Sequence, residues 1–196
     1  MDLHPDGIKW NKRYSEEGPK KFGTSPSLSL ARQNALLLKQ PKGRALDLAC
    51  GNGRNSIYLA RLGFDVDSFD ISNFVIDWLK GEVDRLQLPV KPKCVNLETC
   101  EFSKETYQVI INFNYLERRV FPRLVDALAP GGLLLFETMT HAQDGVFKDK
   151  FSPEHSLQEA ELKHSFPALE TIFYREGLVG PKGRERTVES LVARKS

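Results

Sequence analysis

Cysteine is scarce in this chain: Cys50, Cys94 and Cys100 are the only three in 196 residues. An odd number with no Cys-x-x-Cys spacing builds neither a disulfide framework nor a zinc site, and all three read as small strand residues. The four histidines, His4, His141, His155 and His164, stand apart without metal-ligand spacing, so no metal is expected. No apolar run reaches the ~18 residues that span a bilayer, and the opening residues lack a basic stretch followed by an apolar one. The expectation is a cytoplasmic protein with no membrane partner. An excess of one charge is missing too, since 28 Lys+Arg against 26 Asp+Glu leave +2, which excludes a polyanion-wrapping protein. What is present, 196 residues of which 40% are hydrophobic, suffices for one globular domain with a full core.

Gly18, Pro19, Lys20, Lys21, Gly23, Ser25, Pro26 and Ser27 cluster, and divide an N-terminal arm, 1–27, from the domain proper, 28–196. Ser29 to Lys39 reads as one helix stopped by Pro41. Ala45 to Cys50 is a short apolar run, the mark of a strand buried on both faces. A helix from Asn55 to Leu62 closed by Gly63 follows, then a period-two strand from Phe64 to Asp70. The pattern continues with a helix from Asn73 to Leu86, weakened by Gly81, and strands at Lys93 to Asn96 and Tyr107 to Phe113. Phe121 to Leu128 reads as a helix, Pro130-Gly131-Gly132 as a turn, Leu133 to Glu137 as a strand and Glu159 to Phe166 as a helix. This alternation predicts an α/β protein with a mostly parallel sheet and helices on both faces. Leu169 to Glu176 and Arg186 to Ala193 have glycines but no helix between them, so they should form an antiparallel C-terminal hairpin.

The first strand runs into Gly51-Asn52-Gly53 and opens into a helix, where backbone N–H groups point outward and a nucleotide-like ligand can approach closely. Asp70 ends the second strand 19 residues after Gly51, well placed for ribose hydroxyls; its loss should weaken the ligand and leave folding nearly unchanged. Dinucleotide enzymes usually carry a third glycine, but Ser56 follows here. Asp47, inside the apolar strand, is costly to bury without a partner and suits a ligand with an ammonium group. S-adenosylmethionine fits these residues, with S-adenosylhomocysteine as product.

The run Leu46-Asp47-Leu48-Ala49-Cys50-Gly51-Asn52-Gly53-Arg54-Asn55-Ser56 resembles the first motif of class I S-adenosylmethionine-dependent methyltransferases. With Tyr58-Leu59-Ala60, Gly63-Phe64-Asp65-Val66, Asp70, Asn114-Tyr115-Leu116, Pro130-Gly131-Gly132, Glu161-Leu162 and Leu191 to Lys195, it is similar to the tellurite-resistance methyltransferases over nearly the whole chain. Trp10-Asn11-Lys12-Arg13-Tyr14 with Gly23 resembles the arm of thiopurine methyltransferases, whose aromatic residues cover the cofactor; Trp10 and Tyr14 share one face if the arm is helical. The resemblance implies a Rossmann-like seven-stranded sheet with an antiparallel last strand. It also implies that Asp47, Ala49, Gly51 and Gly53 line the methionine part, with Arg54 and Asn55 in the adjoining turn. Asp70 would bind the ribose, Ile71 the adenine face, and Asn96 and Leu97 the adenine edge, with Asn112 closing the site. Asn96 replaces the usual Asp, and Ala49 a frequent glycine.

Acceptor residues should lie beyond the carboxyl ends of the strands: Asn112, Phe113, Asn114, Tyr115, Glu117 and Arg118, then Thr138, Thr140 and His141. The basic residues Lys182, Arg184 and Arg186 would attract an anionic acceptor, or form a plain solvated turn. Asn112-Phe113-Asn114-Tyr115 matches the N-P-P-Y signature of amino-methyltransferases at its ends but lacks both prolines, and no room remains for a target-recognition domain, so no nucleic acid is expected. Glu117 stands where similar sequences have His; its carboxylate should repel anionic acceptors unless Arg118 pairs with it, or simply start the following helix. No catalytic residue is assigned. The reading is methyl transfer to a small acceptor, a thiol or a selenium or tellurium oxyanion, by a monomer or homodimer. The alternatives are a non-catalytic cofactor-binding protein and, further off, a dinucleotide reductase.

Overall fold

The computed structural model describes residues 4–141, 147, 152–180, 182 and 185–196. Its centre is a seven-stranded sheet of β1 (Arg44–Leu48), β2 (Asp65–Asp70), β3 (Val90–Cys94), β4 (Tyr107–Phe113), β5 (Leu128–Met139), β6 (Leu169–Val179) and β7 (Arg186–Lys195). The order is β3-β2-β1-β4-β5-β7-β6. β1 to β5 pair in parallel, and β7 lies antiparallel between β5 and β6. Mostly parallel strands with the antiparallel terminal pair are what the α/β alternation and the glycine-rich hairpin segment predicted.

The helices are α1 (Pro5–Glu17), α2 (Leu28–Arg32), α3 (Asn34–Lys39), α4 (Arg54–Arg61), α5 (Asn73–Leu86), α6 (Phe121–Ala127) and α7 (Glu161–Ser165). Alternation along the strands feeds two cores. Leu46, Leu48, Ile110, Leu134 and Phe136 pack with Phe121 and Leu124 of α6 and Leu162 of α7. Ala45, Val109, Ile111, Leu133 and Leu135 pack on the other face with Leu37, Leu59, Ile76 and Leu79. α5 begins where the Ser72 hydroxyl accepts the Val75 N–H at 3.3 Å and ends at left-handed Gln87, as capping chemistry requires.

Three boundaries differ from the sequence reading. The helix expected over Ser29 to Lys39 breaks at Gln33 into α2 and α3, yet Leu30 and Leu37 both remain fully buried. β3 starts at Val90 rather than Lys93, its Pro92 being tolerated on an edge strand. Pro130-Gly131-Gly132 is a bulge inside β5 rather than a turn: Tyr107 pairs with Leu128 and Val109 with Leu133, so four residues of β5 oppose Gln108. The Gln40 side chain closes this gap by donating to the Gly131 carbonyl at 2.9 Å and the Gln108 carbonyl at 3.3 Å.

A Cβ on Gly132 would lie 2.7 Å from the Ala129 carbonyl oxygen and 2.8 Å from that of Tyr107, both backbone atoms. Gly132→Ala should therefore destabilise by ~2 kcal/mol or more. Gly81, exposed within α5 with open space around it, should gain ~0.5–1 kcal/mol on replacement by Ala. Urea midpoints of the two variants should move in opposite directions; a neutral Gly132→Ala would contradict the bulge geometry.

Candidate functional site

The loop leaving β1 turns through left-handed backbone at Ala49 (φ 48°), Gly51 (φ 54°) and Gly53 (φ 70°). Ala49 pays for its conformation with about 1 kcal/mol. The two glycines serve different ends. A Cβ on Gly51 would sit 2.7 Å from the Tyr14 hydroxyl, so Gly51 allows close approach from above; a Cβ on Gly53 would meet Leu79 at 2.4 Å, so Gly53 lets α4 pack on α5. Both had been expected to admit the ligand.

Two buried carboxylates flank this loop. Asp70 accepts the Gly51 N–H at 2.8 Å and the Ser72 N–H at 2.9 Å, and burial pushes its pKa up against those bonds. It thereby fixes the loop, and its removal would leave the Gly51 and Ser72 N–H groups without this acceptor at ~1–3 kcal/mol each, a larger cost than the expectation of nearly unchanged folding allows. Asp47, 1% exposed, accepts one hydrogen bond from the Ser56 hydroxyl at 2.6 Å. Burial first raises its pKa from 3.8 to about 7, with Asp70 adding in the same direction against Ser56 and Arg54.

The arm closes over the loop. α1 brings together Trp10 and Tyr14, with Phe22 from the following 3-10 turn, at centroid distances of 5.9–6.4 Å. Asn11 accepts from the Ser72 hydroxyl at 2.7 Å, and Gly7 lies against the Ile71 carbonyl. Asn52 donates to the Pro19 and Gly23 carbonyls at 3.0 and 2.8 Å, Arg54 to the Ser25 carbonyl and the Ser27 hydroxyl, and Asn55 accepts the Ser27 N–H at 2.8 Å. Arg54 and Asn55 thus hold the arm rather than standing open in the turn. Asn11 and Asn52 were missed because asparagines inside longer motifs carried no signal of their own.

After β3, Asn96 Oδ1 accepts the Glu98 N–H at 2.9 Å, while Leu97 is a core residue. At the end of β4, Asn112 donates to the Tyr115 carbonyl at 2.7 Å and keeps a buried Oδ1 with no partner among the described residues. Asn114 is left-handed and exposed, and burial raises the Tyr115 phenol pKa. The pairing considered for Glu117 is corrected: its partner is Arg119 at 2.8 Å, which holds its pKa down. Arg118 instead grips Glu161 at 2.6 and 2.8 Å and the Glu154 and Ser156 carbonyls. His141 is exposed, its N–H donating to the Leu157 carbonyl. Arg186 lies within electrostatic reach of Arg54, whose pKa is lowered by burial and by that charge, while Asp47, Tyr14 and Glu137 act the other way. Arg184 lies outside the described residues.

Asp47 generates a pH prediction. Between about 4 and 7 the folded chain keeps a proton on this carboxyl that the unfolded chain has released, so its contribution to stability falls as pH rises through that window. Asp47→Asn should flatten the stability profile from pH 5 to 8 by on the order of 2 kcal/mol or more, read from urea midpoints. Parallel profiles would show Asp47 ionised throughout.

Comparison with known proteins gives the site a family. The sequence model described as "Tellurite resistance protein TehB" matches residues 17–184. The probable S-adenosyl-L-methionine-dependent methyltransferase TehB of Haemophilus influenzae (strain 10810) is 28% identical over 142 residues, 69% of this chain and 49% of its own length. This chain spans about half the length of the curated relatives it matches. The crystal structure of TehB from Haemophilus influenzae superposes with a TM-score of 0.74 at 22% identity, covering 95% of this chain and 67% of that one. Geranyl diphosphate C-methyltransferase from Streptomyces coelicolor A3(2), solved with Mg2+, geranyl diphosphate and S-adenosyl-L-homocysteine, gives 0.67 at 16% identity over 85% and 77%. The fold is the one these methyltransferases share, and with the family model matched from residue 17 to residue 184 the chain belongs to the tellurite resistance protein TehB family.

Proposed function

We propose that this protein transfers the methyl group of S-adenosylmethionine to a small soft nucleophile, a thiol or a selenium or tellurium acceptor. The observation that carries the reading is the pair of buried carboxylates, Asp47 and Asp70, on either side of the left-handed loop that leaves β1. Asp70, at the carboxyl end of β2, suits ribose hydroxyls, and Asp47, bonded to the hydroxyl and backbone of Ser56, suits a cationic partner. When bound, the sulfonium supplies an activated methyl group for in-line displacement.

The chain's own residues align the partners and keep water out. Trp10, Tyr14 and Phe22 form an apolar cover held down by Asn52, Arg54 and Asn55. Arg119 pairs with Glu117 and with Glu98, which reduces the negative charge that Glu117 sets at the acceptor side. The family name, tellurite resistance, supports a chalcogen acceptor, and the arm resembling thiopurine methyltransferases supports a thiol.

S-adenosylhomocysteine should bind more tightly at pH 8 than at pH 6, because ionised Asp47 favours the ligand's ammonium and its ionised fraction rises through about 7. Asp47→Asn should remove that dependence in a calorimetric titration. With thiols, selenite, tellurite and amines offered in turn, homocysteine release coupled to S-adenosylmethionine consumption should appear with a thiol or chalcogen acceptor. Turnover confined to amines would overturn the acceptor class, and bound cofactor with no turnover would make the protein a non-catalytic binder.

A further inference from the structure

Glu137, near the carboxyl end of β5, takes no part in the loop and carboxylate pair described above. Its carboxylate is 6% exposed at the carboxyl end of β5, beside Phe113 of β4. The alternation of the strands puts it on the same face of the sheet as Asp47. Two hydroxyls converge on one of its oxygens: Ser190 from β7 donates to Oε2 at 2.5 Å, and Ser29 from α2 donates to the same atom. Oε1 accepts nothing among the described residues. A small cavity, about 20 Å³ and enough for one water, is lined by Ser29, Gln33, Phe113, Glu137 and Ser190.

Arg54 at the start of α4 lies within electrostatic reach of Glu137. A carboxylate so deeply buried is costly unless it is bonded or used. The serine hydroxyls hold its orientation and leave one oxygen for a donor.

On the methyltransferase reading above, we propose that Glu137 is the general base of the transfer and that the acceptor is a protonated thiol. The thiol S–H donates to Glu137 Oε1. As a sulfur lone pair forms the new S–CH3 bond, the C–S+ bond of the sulfonium breaks and its electron pair returns to sulfur. The S–H proton passes to the Glu137 carboxylate, leaving a thioether and S-adenosylhomocysteine. A fully ionised oxyanion has no proton to give and gains nothing from a buried carboxylate at this point, which favours the thiol within the proposed acceptor range.

Two thiols separate this role from a structural one: 2-mercaptoethanol, almost wholly protonated at neutral pH, and 4-nitrothiophenol, already ionised there. Glu137→Gln should lower kcat/KM for 2-mercaptoethanol about a hundredfold and leave 4-nitrothiophenol within about threefold, with unchanged S-adenosylhomocysteine affinity by calorimetry. A second readout needs no turnover: thiophenol added to the S-adenosylhomocysteine complex should show less thiolate absorbance with the wild type than with Glu137→Gln, because a carboxylate accepting the S–H holds the proton on sulfur before transfer. If the glutamine variant does not fold, Glu137→Asp keeps the carboxylate and should retain the contrast between the two thiols in weaker form. Equal losses on both thiols, or loss on neither, would overturn the base role. A wild type that binds S-adenosylhomocysteine but methylates neither thiol would overturn the thiol assignment and leave the cofactor reading standing, whereas absence of that binding would remove the reading beneath it.

Discussion

The hydrogen bond from the Gly51 N–H to the Asp70 carboxylate is the constraint from which the rest of the site follows. It ties the loop after β1 to the end of β2, and Asp70 spends its other oxygen on the Ser72 N–H that leads into α5. With the loop pinned there, its left-handed residues set the direction in which α4 departs. Asn52, Arg54 and Asn55 then face the arm and gather its carbonyl, hydroxyl and N–H groups. A hydrogen bond to a buried ionised acceptor is among the stronger ones available, and here it organises two elements at once.

The same chain of contacts runs on to the far side of the sheet. The arm ends at Ser27, gripped by Arg54 and Asn55, and two residues later Ser29 donates to Glu137 on β5. On the opposite face, Glu189 of β7 accepts the Glu161 and Leu162 N–H groups at the start of α7, and Glu161 holds Arg118 in the loop after β4. Arg119, next in that loop, pairs with both Glu117 and Glu98, and Glu98 lies 3.8 Å from His4 at the start of α1. The arm, the loop after β4 and the terminal strands are therefore joined by a chain of polar contacts. Displacing the arm would break the bonds that Asn52, Arg54 and Asn55 make to it.

Most of the architecture was legible because periodicity is a local property. Two-sided apolar strands such as Leu46 to Leu48 and the glycine-rich segment before β7 each declare themselves within a few residues. The bulge at Pro130-Gly131-Gly132 did not, since proline and glycine signal a turn equally well and only pairing with Gln108 and Gln40 distinguishes the two. Within the site, Asp47 stood out as a charge in an apolar run. Glu137 gave the same signal and was passed over because it ended its strand, and Arg118 looked available until Glu161, 43 residues on, was placed beside it. Partners that lie far apart in sequence are set by tertiary structure, and spacing carries no trace of them.

The central claim is that the loop between Asp47 and Asp70 is built for S-adenosylmethionine rather than for a dinucleotide. Calorimetric titration of the full chain with S-adenosylhomocysteine, and separately with NAD, tests it most directly. The account predicts one S-adenosylhomocysteine bound per chain, no heat from NAD, and affinity lost on replacing Asp70 with Asn in a protein that still folds. Binding of NAD with no response to S-adenosylhomocysteine would contradict it.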